Sequence, residues 1–108
     1  MAWISLIAAG LLEVVWALAL KRSEGFSKLP ETVAFVVALV ASMALLALAL
    51  RSLPVGTGYA VWTGIGAVGT AIVGIAFLGE SAAALRLVSI ALIAAGIVGL
   101  ALASPAGS

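Results

Sequence analysis

The sequence contains no cysteine and no histidine. The first absence excludes disulfides and thiolate metal sites. The second removes the commonest metal ligand and proton shuttle. Charge is scarce as well: Lys, Arg, Asp and Glu together make up 8% of 108 residues, against about 25% in ordinary soluble proteins. The net charge is only +1, so nothing points to a nucleic-acid partner. No nucleophile–base pair and no metal-ligand cluster can be picked out, so neither an enzyme nor a cofactor nor a metal site is expected.

What is abundant is apolar. Ala, Val, Ile, Leu, Met and the aromatics reach 66% of the chain, more than a soluble fold of this size could bury. The bilayer is the expected solvent, and the fold class is an all-α membrane protein. Apart from Glu13, the charges fall at three places and cut the chain into four apolar segments, about 2–20, 32–50, 55–78 and 84–103. Each is near the roughly 20 residues an α-helix needs to cross a hydrocarbon core. Together they form a single four-helix transmembrane domain spanning 1–108, with both termini on the same side and no room for a soluble domain. Met1-Ala2-Trp3 lacks a basic side chain and Glu13 interrupts the first apolar run. Both features are unlike a signal peptide.

Glu13 stands out because it is the only charge in the first 20 residues. A carboxylate at the centre of a membrane helix costs roughly 2.5–3.5 kcal/mol on insertion scales, so residues of this kind usually have a use. Trp16 follows three residues later on the same helix face and offers an indole N–H or a ring face to a cation. Ser42 lies near the middle of segment two. Its hydroxyl either bonds back to the carbonyl four residues earlier or donates to a carboxylate.

Segment three carries six of the chain's 12 glycines, its only tyrosine and the tryptophan Trp62. Gly56, Tyr59, Thr63, Gly66 and Thr70 share one helical face at spacings of three and four. This face suits close helix packing and equally a cavity wall with a flexible point at Gly64 and Gly66, since glycine pairs favour kinks. Tyr59 and Trp62 can orient carboxylates or line a pocket; anchoring at the membrane interface is the alternative for such residues. In segment four, Ala91, Ala95 and Gly99 form a small-residue stripe of the kind that packs helices together, here assigned to dimer contact.

Four helices enclose a hydrophilic cavity poorly, so a transporter this small implies an oligomer. Glu13 is then repeated, and the two carboxylates compete for whatever neutralises them: protons, or a cation held between them. That is the minimum chemistry of a proton-coupled antiporter.

At this point the chain resembles the small multidrug resistance transporters, and within them the guanidinium exporter branch. The resemblance rests on Leu12-Glu13-Val14-Val15-Trp16, on Ser42-Met43-Ala44-Leu45-Leu46, on the run from Leu53-Pro54-Val55-Gly56 through Tyr59 and Trp62 to Gly66-Ala67, and on Leu78-Gly79-Glu80-Ser81. It covers almost the whole chain. It implies an antiparallel, dual-topology homodimer in the cell inner membrane, in which Glu13 of both protomers binds substrate or protons in competition. It assigns Trp16 and Ser42 to the hydrogen-bond network around Glu13, Trp62 to the pocket lining, and Tyr59 to substrate binding or the switch of access.

The branch implies export of guanidinium and small substituted guanidinium cations. The sister branch, which takes quaternary ammonium and aromatic cations, typically has a small residue in place of Trp16, and export of that kind is the alternative function. The chemistry agrees independently, because guanidinium is planar, permanently charged, and offers a fork of donors that matches a carboxylate. Exchange of one such cation for two protons is the expectation from two carboxylates. Two departures bear on orientation. Relatives often carry a lysine where this chain has Ala101. Lys21, Arg22, Lys28 and Arg86 fall on one side of the four-span topology against Arg51 on the other, a bias that favours a fixed orientation. One subunit of a heterodimeric pair therefore stands as a further alternative.

Overall fold

The computed structural model describes residues 1–103. It contains four helices: α1 (Ala2–Arg22), α2 (Leu29–Ala49), α3 (Val55–Phe77) and α4 (Ala84–Ala103). At 1.5 Å per residue they are about 30–35 Å long, the thickness of a hydrocarbon core. All four are apolar enough to span a membrane. Three of the expected segments match to within two residues at each end. The second begins three residues earlier than expected, at Leu29. Pro30 occupies the first turn and Glu31 follows it, where a missing N–H is harmless and an acidic side chain meets the positive helix end.

The connections are short and locally braced. Between α1 and α2, the backbone passes through the left-handed region at Glu24, Gly25 and Phe26. Ser23, fully buried, holds this turn: its hydroxyl donates to the Leu20 carbonyl at 2.7 Å and accepts from the Phe26 amide at 3.1 Å. Between α3 and α4, Gly79 takes the left-handed conformation at φ +69. The Glu80 amide donates back to the Gly74 carbonyl at 3.0 Å, which caps the end of α3.

The helices lie side by side in the order α2, α1, α3, α4. α1 packs on both α2 and α3, whereas α4 packs on α3 alone. The result is a slab with extents 43 × 34 × 16 Å. A small core of Leu6, Ala9, Leu46, Ala49, Leu53, Val61 and Trp62 fills the junction of α1, α2 and α3. α4 buries no residue. Large apolar side chains such as Ile4, Val37, Val40, Ile72, Leu92 and Leu102 are exposed. That surface suits lipid and not water.

The seam between α1 and α3 depends on glycine. A Cβ at Gly10 of α1 would strike Ile65, and Cβ atoms at Gly66 and Gly69 of α3 would strike Glu13 and Val14. The paired positions advance together along both helices, as parallel neighbours require. α3 runs without a break through Gly64 and Gly66. Gly64 faces Ile93 and Ile97 of α4 while Gly66 faces Glu13 of α1, so in this conformation each glycine serves as a seat for a neighbouring side chain.

Candidate functional site

Two polar clusters occupy the layer around α1. The first is built on Ser42, which is fully buried. Its hydroxyl does not bond back along α2. It crosses to α1 and donates to the Ala9 carbonyl at 2.7 Å, and it accepts the Trp62 indole N–H at 3.0 Å. One hydroxyl thereby ties α2 to α1 and α3. In a continuous helix the Ala9 carbonyl is also the acceptor for the Glu13 amide, so the bond fixes the turn of α1 that carries Glu13. Tyr59 stacks on Trp62 with ring centroids 5.5 Å apart, and more than half of its surface is exposed.

The second cluster lies one turn further along α1. Glu13 lays its carboxylate on the backbone of Gly66, where any Cβ would overlap it. Glu13, Trp16 and Ala17 of α1 and Thr63, Gly66, Ala67 and Thr70 of α3 line a cavity of about 260 Å³. Glu13 Oε1 and Trp16 Nε1 are both buried and without a hydrogen-bond partner. Buried polar groups in that condition are uncommon and call for an explanation. Trp16 is held from behind by Phe35 of α2, in an edge-on contact at 5.9 Å, and Phe35 in turn meets Phe26 at 5.7 Å.

The two clusters divide the expected site residues. Glu13 and Trp16 share the cavity. Ser42, Trp62 and Tyr59 form the neighbouring group, and within the protomer the Ser42 hydroxyl and the Trp62 N–H bond to each other and to α1 instead of to the carboxylate. Ala91, Ala95 and Gly99 of α4 are exposed. Phe35 and Ala17 are not singled out by sequence, and Ala67 enters there only as the end of the segment-three motif. Phe35 reads as one more apolar residue of α2, and only the packing of α2 on α1 reveals its contact with Trp16.

A larger hollow of about 330 Å³ lies at the end of the slab, rimmed by Lys21, Arg22, Glu24, Lys28 and Glu31. Of its carboxylates, Glu24 pairs with Lys28 at 2.9 Å. It makes no demand for a ligand comparable to that of Glu13. Among the described residues no group of acidic side chains is arranged to hold a metal ion.

Comparison with known proteins places this architecture. Residues 1–93 match the family described as Small Multidrug Resistance protein. Proteins named guanidinium exporter from Yersinia pseudotuberculosis and Escherichia coli K12 are each 64% identical over 104 residues; the match covers 96% of this chain and 100% and 99% of theirs. The guanidinium exporter of Salmonella typhimurium is 60% identical over the same length. With four membrane-length apolar helices, the protein is a multi-pass inner-membrane protein. The apolar slab, the half-buried carboxylate on α1, the glycine-rich α3 and these matches lead to one assignment: the chain belongs to the small multidrug resistance family.

Proposed function

We propose that the protein exports guanidinium and small substituted guanidinium cations in exchange for protons, with Glu13 binding either the cation or a proton. The observation that carries this reading is the Glu13 carboxylate, seated on Gly66 beside Trp16 with one oxygen buried and unpartnered. A planar cation with paired N–H donors satisfies such an oxygen, and a proton does so equally well. The two therefore displace one another. Trp16 offers its ring face to the bound cation. The guanidinium exporter names of relatives 60–64% identical support the choice of substrate.

The working unit in this reading is an antiparallel homodimer. The cavity sits in a slab 16 Å thin, and a single protomer would leave its open side to lipid. Hydrocarbon is a poor neighbour for a carboxylate, and a second protomer supplies the missing wall. The exposed stripe of Ala91, Ala95 and Gly99 on α4 suits close helix association. Ser42 and Trp62 act as the rigid support of the Glu13 turn, and Tyr59, exposed beside Trp62, contributes to substrate binding or to the change of access. Gly64 and Gly66 supply the flexible point that the change requires.

The test is exchange of labelled guanidinium across liposomes that contain only this chain. Excess unlabelled guanidinium should compete, and tetraphenylphosphonium should compete poorly. Absence of saturable guanidinium exchange overturns the reading, and stronger competition by tetraphenylphosphonium moves the protein to the bulky-cation class.

A further inference from the structure

We propose that Thr63 and Thr70 are specificity-determining residues, whose hydroxyl oxygens accept the N–H groups of guanidinium that Glu13 cannot reach. The inference rests on the guanidinium reading above and adds to it the residues that count the substrate's donors.

Hydroxyls on membrane helices normally satisfy themselves by bonding to a carbonyl one turn back. In this protein Thr32 does so with Lys28 at 2.7 Å, and Ser89 with Leu85 at 2.8 Å. Ser42 is committed to Ala9 and Trp62. The side-chain hydroxyls of Thr63 and Thr70, like those of Ser5 and Thr57, make no hydrogen bond, and of these four only Thr63 and Thr70 line the cavity that holds Glu13. They flank Gly66, on which the carboxylate is seated. Along the helix axis they stand about 4.5 Å to one side of Gly66 and about 6 Å to the other.

Guanidinium carries six N–H bonds in one plane. A carboxylate engages two of them side by side, so even with Glu13 of both protomers engaged, two N–H groups are left without an anionic partner. The rest of the cavity lining is Trp16, Ala17, Gly66 and Ala67. The Trp16 side chain has only a donor, and the alanines and glycine have no polar side-chain atom. Thr63 and Thr70 are therefore the only neutral side-chain acceptors in that lining, placed on both sides of the carboxylate. A cation without N–H groups gains nothing from them. A site built to bond N–H donors discriminates strongly against analogues that lack them.

The test compares the Thr63→Val/Thr70→Val double variant, which removes both hydroxyls and keeps the β-branched shape, with Thr63→Ser/Thr70→Ser, which keeps both hydroxyls. Guanidinium exchange in liposomes gives KM and the maximal rate. Tryptophan fluorescence during guanidinium titration gives Kd without transport, and size-exclusion profiles in detergent check assembly. The Val variant should raise KM and Kd about 10-fold or more, the loss expected for two neutral hydrogen bonds. Its maximal rate should change little, and the Ser variant should stay within about twofold of the wild type. Wild-type KM and Kd in the Val variant, or equal damage in the Ser and Val variants, overturns the inference while wild-type exchange leaves the exporter reading intact. No guanidinium exchange by the wild-type chain overturns both.

Discussion

Ser42 and Glu13 are both polar side chains facing the interior of an apolar slab, and their surroundings differ sharply. Ser42 donates and accepts one hydrogen bond each, to Ala9 and from Trp62. Glu13 has an oxygen equally removed from solvent that bonds to nothing, beside an indole N–H in the same condition. The first arrangement is complete within one protomer and holds three helices in register. The second is left incomplete within one protomer. A buried polar group left without a partner costs about 1–3 kcal/mol, so the protein bears at Glu13 a penalty that it avoids one turn away at Ser42. The contrast separates support from site more clearly than residue type does, since both clusters contain a tryptophan and an oxygen.

Glu13→Gln should produce the largest effect. Glutamine keeps the shape and removes both the charge and the exchangeable proton, so proton-coupled guanidinium exchange should fall by at least about 100-fold, the scale set by losing a buried charge-assisted pair. Thermal unfolding should change little. Parallel flux and melting measurements on the variant make this check.

Gly66→Ala should come next. The new methyl falls where the carboxylate lies, so Glu13 must leave its seat. We expect guanidinium affinity to drop by about 10- to 100-fold, comparable to losing one or two charge-assisted bonds. Gly56→Ala is the matched control on the same helix, because nothing lies near its Cβ position. Equal losses in the two variants would show that general stiffening of α3 matters and that the seat does not.

The four spans were legible in the sequence because membrane energetics acts on composition, and Lys21-Arg22, Arg51 and Glu80 punctuate the apolar runs. The anomalous charge was legible for the same reason, and helical spacing put Trp16 on its face and gathered Thr63, Gly66 and Thr70 on one face of α3; that this face lies against Glu13 follows only from the packing of α1 on α3. The partner of the Ser42 hydroxyl was not legible. Local periodicity names the carbonyl of Ala38, four residues back along α2, and only the packing of α2 on α1 delivers the carbonyl of Ala9. Gly66 likewise reads only as a source of flexibility, and its second part as the seat of the Glu13 carboxylate shows once α1 is laid against α3. A glycine whose missing Cβ admits a neighbour's side chain is indistinguishable in sequence from one that bends.

Ser42→Ala should reverse the pattern of Glu13→Gln. It strands the Ala9 carbonyl and the Trp62 N–H in a buried place, which should cost about 2 kcal/mol of stability. A melting series in detergent reads this loss, with a smaller effect on guanidinium affinity in the material that remains folded.

The smallest effects should come from one substitution made at two positions. Trp62→Phe removes a donor that is in use and should lower stability by about 1 kcal/mol. Trp16→Phe removes a donor that is not in use within the protomer. It should leave the melting temperature nearly unchanged and weaken guanidinium binding by about fivefold, since phenyl is a poorer cation partner than indole. If the two variants exchange these behaviours, the division between support and site is wrong.

The most direct test of the central claim records guanidinium uptake and internal pH together in liposomes that contain this chain alone. If proton and cation exchange at Glu13, inward guanidinium movement should make the lumen alkaline in step, and both signals should vanish in Glu13→Gln. Uptake without any movement of protons, or coupled uptake that persists in Glu13→Gln, would contradict the account.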